Sequence, residues 1–138
     1  MTPIEQALEA AEDRADSGDL AGAIASLEAL RSGRPPAEAS RILTTIGAFT
    51  ARSGDLEGAL PQVELAEALA QAAGDPLARG LARLTRASIL AALGQYDAAL
   101  PMALEVARGP DHTPELAELC ADARAEAEAY TNLVSPPR

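Results

Sequence analysis

Two side chains in this sequence would form a reactive pair if they met: His112 and Cys120. An imidazole touching a thiol makes a thiolate nucleophile. His112 lies in the run RGPDHTP between Asp111 and Thr113, and Cys120 follows eight residues later on a different turn of structure. The spacing separates them, so His112 reads as a solvated loop residue and Cys120 as a small buried helix residue. The chain has no Gly-rich phosphate loop, no His/Cys metal cluster and no Ser/His/Asp arrangement. The expectation is a protein that is not an enzyme, with no catalytic residue, no metal and no cofactor. The remaining chemistry belongs to arginine. Arg79, Arg83 and Arg86, spaced by four and three, share one helical face and could form an anion-binding stripe. The same spacing suits surface pairs with Glu64, Glu67 or Glu105, and the sequence leaves both readings open.

Charge and composition narrow the partner. The formal charge is −10 over 138 residues, and its placement is uneven. Residues 1–19 hold six acids against Arg14, residues 111–128 hold six against Arg124, and residues 31–108 balance eight arginines with eight acids. A nucleic-acid binder needs a basic stripe interleaved with aromatics, and only Phe49, Tyr96 and Tyr130 are aromatic here. Nucleic acid is therefore not an expected ligand. A single cysteine excludes an internal disulfide and fits a reducing compartment. No apolar run approaches the roughly 20 residues that span a bilayer, and Glu5, Glu9 and Glu12 stand where a leader needs positive charge. The expectation is a soluble, cytoplasmic protein without a membrane partner.

The elements that must position these residues come from a repeated phrase. SGDLAGAI at 17–24, SGDLEGAL at 53–60 and LGQYDAAL at 93–100 are copies of one pattern. Gly18 to Gly54 is 36 residues and Gly54 to Gly94 is 40, a period typical of stacked helical hairpins. Thr2, Pro3 and Glu5 form a capping box that opens the first helix. Asp19, Asp55 and Asp97 fall at or near the start of each hairpin's second helix, where a carboxylate meets free backbone amides. SGRPP at 32–36, AGDP at 73–76 and RGPDHTP at 108–114 separate the hairpins. Helices are predicted near 3–16, 20–31, 36–52, 56–73, 77–92, 96–107 and 114–132, with bends at Pro61 and Pro101. In the last helix Leu116, Leu119, Cys120, Ala123 and Ala127 form one apolar stripe, as a solvating cap requires.

The three units resemble the tetratricopeptide repeat family over nearly the whole chain. Leu43, Ile46, Gly47, Gly54, Ala59, Leu60, Val63 and Ala66 stand at that family's packing positions in the second unit. Ala87, Leu90, Gly94, Tyr96, Ala99 and Leu100 do so in the third, and Ala11, Gly18, Ala23, Ile24 and Leu27 in the first. The chain departs from the pattern at Arg83 and Arg86, where the family has apolar side chains. The resemblance implies an all-α protein: a right-handed α-α superhelix, a solenoid of helical hairpins with seven helices. It is expected to be one domain over 1–138, with repeats at about 2–34, 36–75 and 76–110 and a capping helix at about 114–133.

The resemblance also implies a protein-binding module, an adaptor or scaffold that holds a peptide or protein segment on the concave surface formed by each hairpin's first helix. Carried over on the glycine register, that groove presents Glu5, Leu8, Glu12 and Asp16, then Arg41, Thr44, Ala48 and Arg52, then Leu81, Leu84, Ser88 and Ala92. Chaperone-tail binders of this family clamp a carboxylate with Lys and Asn, and Leu8 and Glu12 replace the first of these. Arg41 and Arg52 could grip a partner's carboxylate with forked hydrogen bonds, or neutralise Glu5, Glu12 and Asp16. Two alternatives remain: a self-associating module that forms a homo-oligomer, and a ligand-sensing module of a bacterial regulatory system.

Overall fold

The computed structural model describes residues 1–134, all of whose regular structure is helical. The SPPR end of the expected domain lies outside the described residues. Seven helices follow one another: α1 (Pro3–Asp16), α2 (Leu20–Arg31), α3 (Pro36–Arg52), α4 (Leu56–Ala73), α5 (Pro76–Ala92), α6 (Tyr96–Ala107) and α7 (Pro114–Val134). Each boundary falls within two residues of its sequence-based expectation, because Gly and Pro punctuate the chain where the helices stop and start.

The hairpin turns are built alike. Gly18, Gly54 and Gly94 have φ of 102°, 101° and 82°, a left-handed region that a side chain resists. Asp19 and Asp55 then cap α2 and α4, each accepting a hydrogen bond at 2.9 Å from the amide three residues on, Gly22 N and Gly58 N. The third copy departs from this. Gln95 is the cap residue of α6 and makes no side-chain cap bond, so Asp97 lies within the first turn and is not the cap. Asp75, inside the AGDP connector, caps α5 by accepting from Ala78 N at 3.0 Å. Thr2 and Glu5 form the expected capping box, with bonds of 3.1 and 3.2 Å. Both α4 and α6 run unbroken through Pro61 and Pro101.

Every helix packs on the next one in the chain, and the odd helices also touch each other: α1 on α3, α3 on α5, α5 on α7. Among the described residues the even helices α2, α4 and α6 do not meet one another. The core follows this order. Ile4, Leu8, Ala23 and Leu27 pack on Ile42, Ile46 and Phe49, joining α1 and α2 to α3. Val63, Ala59 and Ile89 join α4 to α5, with Leu43, Ala66 and Ala82 beside them. Leu84, Ala87, Met102, Val106, Leu119 and Tyr130 join α5 and α6 to α7.

Small residues set the spacing between these rods. A methyl group on Gly47 would lie 2.5 Å from Cγ1 of the buried Val63, so α3 and α4 approach as closely as a bare glycine allows. Ser40, fully buried, donates to the Ala66 carbonyl at 2.6 Å across the same interface. With 33 alanines and three aromatics, burial is spread over many small contacts, each contributing little at about 25 cal/mol per Å². Close approach compensates by adding dispersion contacts.

The predicted stripe of α7 is buried as expected, and Tyr130 extends it one turn further. Cys120 is 3% exposed and its Sγ lies 3.4 Å from the carbonyl oxygens of Val106 and Pro110. His112 is exposed in the preceding loop. No described helix is long and apolar enough to cross a membrane, and no described group of three His, Cys, Asp or Glu is placed to hold a metal ion.

Candidate functional site

The odd helices present a shallow trough. Its central part, about 330 Å³, is lined by Leu8, Glu9 and Glu12 of α1, by Arg41, Thr44, Thr45 and Ala48 of α3, and by Leu81 and Thr85 of α5. A second hollow of about 300 Å³ continues it past Ala48 toward Ala51, Arg52, Ser88 and Ala92. A third, about 390 Å³, lies toward the other end of α1 and α3, beside Glu5, Arg34, Glu38 and Arg41. Helical periodicity explains why these side chains meet: 5, 9, 12 and 16 share one face of α1, and 41, 45, 48 and 52 share the matching face of α3.

The arginines of α3 spend their charge on α1. Arg52 Nη2 lies 3.1 Å from Asp16 Oδ1, and its Nη1 lies 3.4 Å from Glu12 Oε2. The guanidinium also sits 5.5 Å above the centre of the Phe49 ring, which orients it. Arg41 faces Glu5 at a looser 3.9 Å. Of the two roles the sequence left open for Arg41 and Arg52, the geometry displays the neutralising one. Glu9, between Glu5 and Glu12, makes no ion pair among the described residues.

Not every expected groove residue lines the trough. Leu84 is buried at 8% exposure in the cluster with α6 and α7, and Thr85 stands beside the expected Leu81 on the α5 wall in its place. A carry-over on spacing alone cannot separate 84 from 85, since both fall within one helical turn of 81. Glu9, Thr45 and Thr85 in the central hollow, and Leu56 and Ile89 in the one that continues it, are lining residues that sequence reasoning missed. The signal for Thr45 was available, because it stands 36 residues after Glu9, one repeat period on.

The polar atoms of the trough are unevenly satisfied. Thr45 Oγ1 donates to the Arg41 carbonyl at 3.0 Å, and Thr85 Oγ1 to the Leu81 carbonyl at 2.8 Å. Thr44, 8% exposed, is the exception: its Oγ1 has no hydrogen-bond partner among the described residues.

The second basic cluster lies where α5 meets α4 and α6. Glu67 of α4, 12% exposed, bonds Arg83 at 3.0 Å and Arg86 at 3.3 Å. Glu105 of α6 pairs with Arg83 at 2.7 Å and with Arg79 at 3.1 Å. Since α4 and α6 do not touch, these three arginines tie them together through α5. Glu64, the third acid considered for them, is exposed and takes no part.

At the far end of α5, Tyr130 of α7 donates to Glu126 Oε2 at 3.1 Å, with its ring 6.3 Å from that of Tyr96. Burial, with the Glu126 charge behind it, pushes the Tyr130 hydroxyl up to about 12. Burial likewise raises Glu126 above its ordinary value, against the pull of the Tyr130 hydrogen bond. Asp19 is lowered, first by the Gly22 amide and then by Arg14 at 2.7 Å.

No protein-family model matches the chain, and no curated protein matches it.

Proposed function

We propose that this chain is a helical-repeat interaction module of the tetratricopeptide kind, three hairpins and a cap coiled as a right-handed superhelix, holding a protein segment in the trough of α1, α3 and α5. One observation carries the reading. The first helices of the three hairpins all line the central hollow, and α3 and α5 carry on into the adjoining one; the uncharged lining side chains are no larger than Leu or Ile, with charges confined to the α1 edge and to Arg41 and Arg52. A hollow of small side chains flanked by charges receives side chains from a partner and fixes their register.

Site-specific photo-crosslinking tests it. A benzophenone residue at Ala48 or Ser88 is expected to capture the partner in cells, and the same residue at Ala68, exposed on α4, is expected to capture none. Equal capture from both faces, or capture from Ala68 alone, overturns the reading.

A further inference from the structure

Along the α1 edge of the trough acids outnumber cations. On α1 the acids Glu5, Glu9, Glu12 and Asp16 follow the spacing four, three, four. The facing positions of α3, one 36-residue period later, are Arg41, Thr45, Ala48 and Arg52. The outer two positions are matched pairs: Glu5 with Arg41 at 3.9 Å, and Asp16 with Arg52 at 3.1 Å. The inner two set carboxylates against a hydroxyl and a methyl group. Glu12 draws on Arg52 at 3.4 Å, sharing it with Asp16, and Glu9 has no ion pair among the described residues. On α5 the corresponding row of Leu81, Thr85, Ser88 and Ala92 adds no charge. Four acids thus face two arginines, and the deficit sits in the middle, where the central hollow opens beside Glu9 and Glu12.

The geometry points to a basic partner: a protein segment that inserts a Lys or Arg side chain between Arg41 and Arg52, so that its cation meets Glu9 and Glu12. The inserted cation restores the one-to-one pairing along the α1 edge. Its alkyl stem lies over Leu8, Ala48 and Leu81, as long cationic side chains do on apolar ground. Thr44, whose buried hydroxyl has no partner among the described residues, borders the same hollow. The net charge of −10 speeds encounter with such a segment. This inference rests on the segment-docking reading above and fixes the chemistry of the occupant.

The test selects a random nonapeptide library, displayed on phage, on the immobilised full chain, and measures the recovered peptides by fluorescence anisotropy. Peptides sharing a Lys or Arg are expected, with affinity falling about tenfold against Glu9→Gln/Glu12→Gln, an ordinary loss for one charged pair. The control Glu115→Gln/Glu118→Gln removes the same charge from α7 and is expected to leave affinity unchanged. Recovered peptides without a shared cation, or equal losses from the two double variants, overturn the basic-partner inference. In that event a loss of binding on Ala48→Trp, with circular dichroism unchanged, keeps segment docking intact. Failure to recover any peptide, or binding indifferent to both Ala48→Trp and Ser88→Trp, overturns the docking reading and this inference with it.

Discussion

Asp16 and Arg52 stand 36 residues apart in the chain and 3.1 Å apart in space. Their separation equals the distance from Gly18 to Gly54, so the repeat period is also the register in which α1 lies along α3. Both side chains are substantially exposed, at 66% and 43%, and exposed pairs contribute about 0.2–1 kcal/mol. A double-mutant cycle of Asp16→Asn and Arg52→Gln, read by urea denaturation, is expected to give a coupling in that range, weakening as salt is added. A coupling near zero at low salt would show that this pair adds nothing to the register that the apolar contacts between α1 and α3 set.

Glu67 holds two arginines from an environment that is only 12% exposed. Glu67→Gln leaves Arg86 without an ion pair among the described residues and Arg83 with Glu105 alone, and is expected to lower stability by about 1–2 kcal/mol. Calorimetry checks this, and Glu64→Gln on the exposed face of the same helix is the matched control, expected to change little.

Gly47→Ala places a methyl group against Val63, a stiff side chain with no exposed surface. Overpacking a core costs about 1–3 kcal/mol, and the gain in helix propensity returns about 1. A net loss of about 1 kcal/mol in chemical denaturation is expected, with Gly47→Ala/Val63→Ala recovering part of the packing strain. A stabilised single variant would mean that α3 and α4 can separate freely.

Two groups on α7 make stability depend on pH. The Tyr130 hydroxyl is held neutral in the folded chain to about 12 against 10.0 in the unfolded one, so its contribution is complete below pH 10 and is lost as pH climbs toward 12. Glu126 is also raised by burial, from 4.5, so its contribution is complete below that value and declines as pH rises through its folded value. Tyr130→Phe is expected to flatten the alkaline slope and Glu126→Gln the acidic one. Melting temperatures across pH 4–12 separate the two effects.

The helices were legible because this sequence punctuates itself: each hairpin turn carries a glycine and each connector a proline, and local chemistry settles both. Where a cap was obscured, the reading slipped. Asp75 passed as part of a connector, whereas Asp97 does stand near the start of α6, in its first turn, beside a cap residue, Gln95, whose side chain makes no cap bond. The trough was half legible. Its α1 and α3 walls followed from the 36-residue register, but the row carried over was that of Leu8, Thr44 and Leu84, one residue short of Glu9, Thr45 and Thr85, and Leu84 turned inward toward α6 and α7. The acids facing Arg79, Arg83 and Arg86 were legible as a set: Glu67 and Glu105 pair with them and Glu64 does not, a choice that spacing within one helix cannot make.

Cys120 keeps its sulfur against the carbonyls of Val106, Gly109 and Pro110, and the sequence holds no other thiol. The native protein is therefore nearly silent toward maleimide dyes. A cysteine introduced at Ala48 or Ser88 becomes a unique attachment point, so a fluorophore or nitroxide placed there reports on the trough without any need to remove the natural residue.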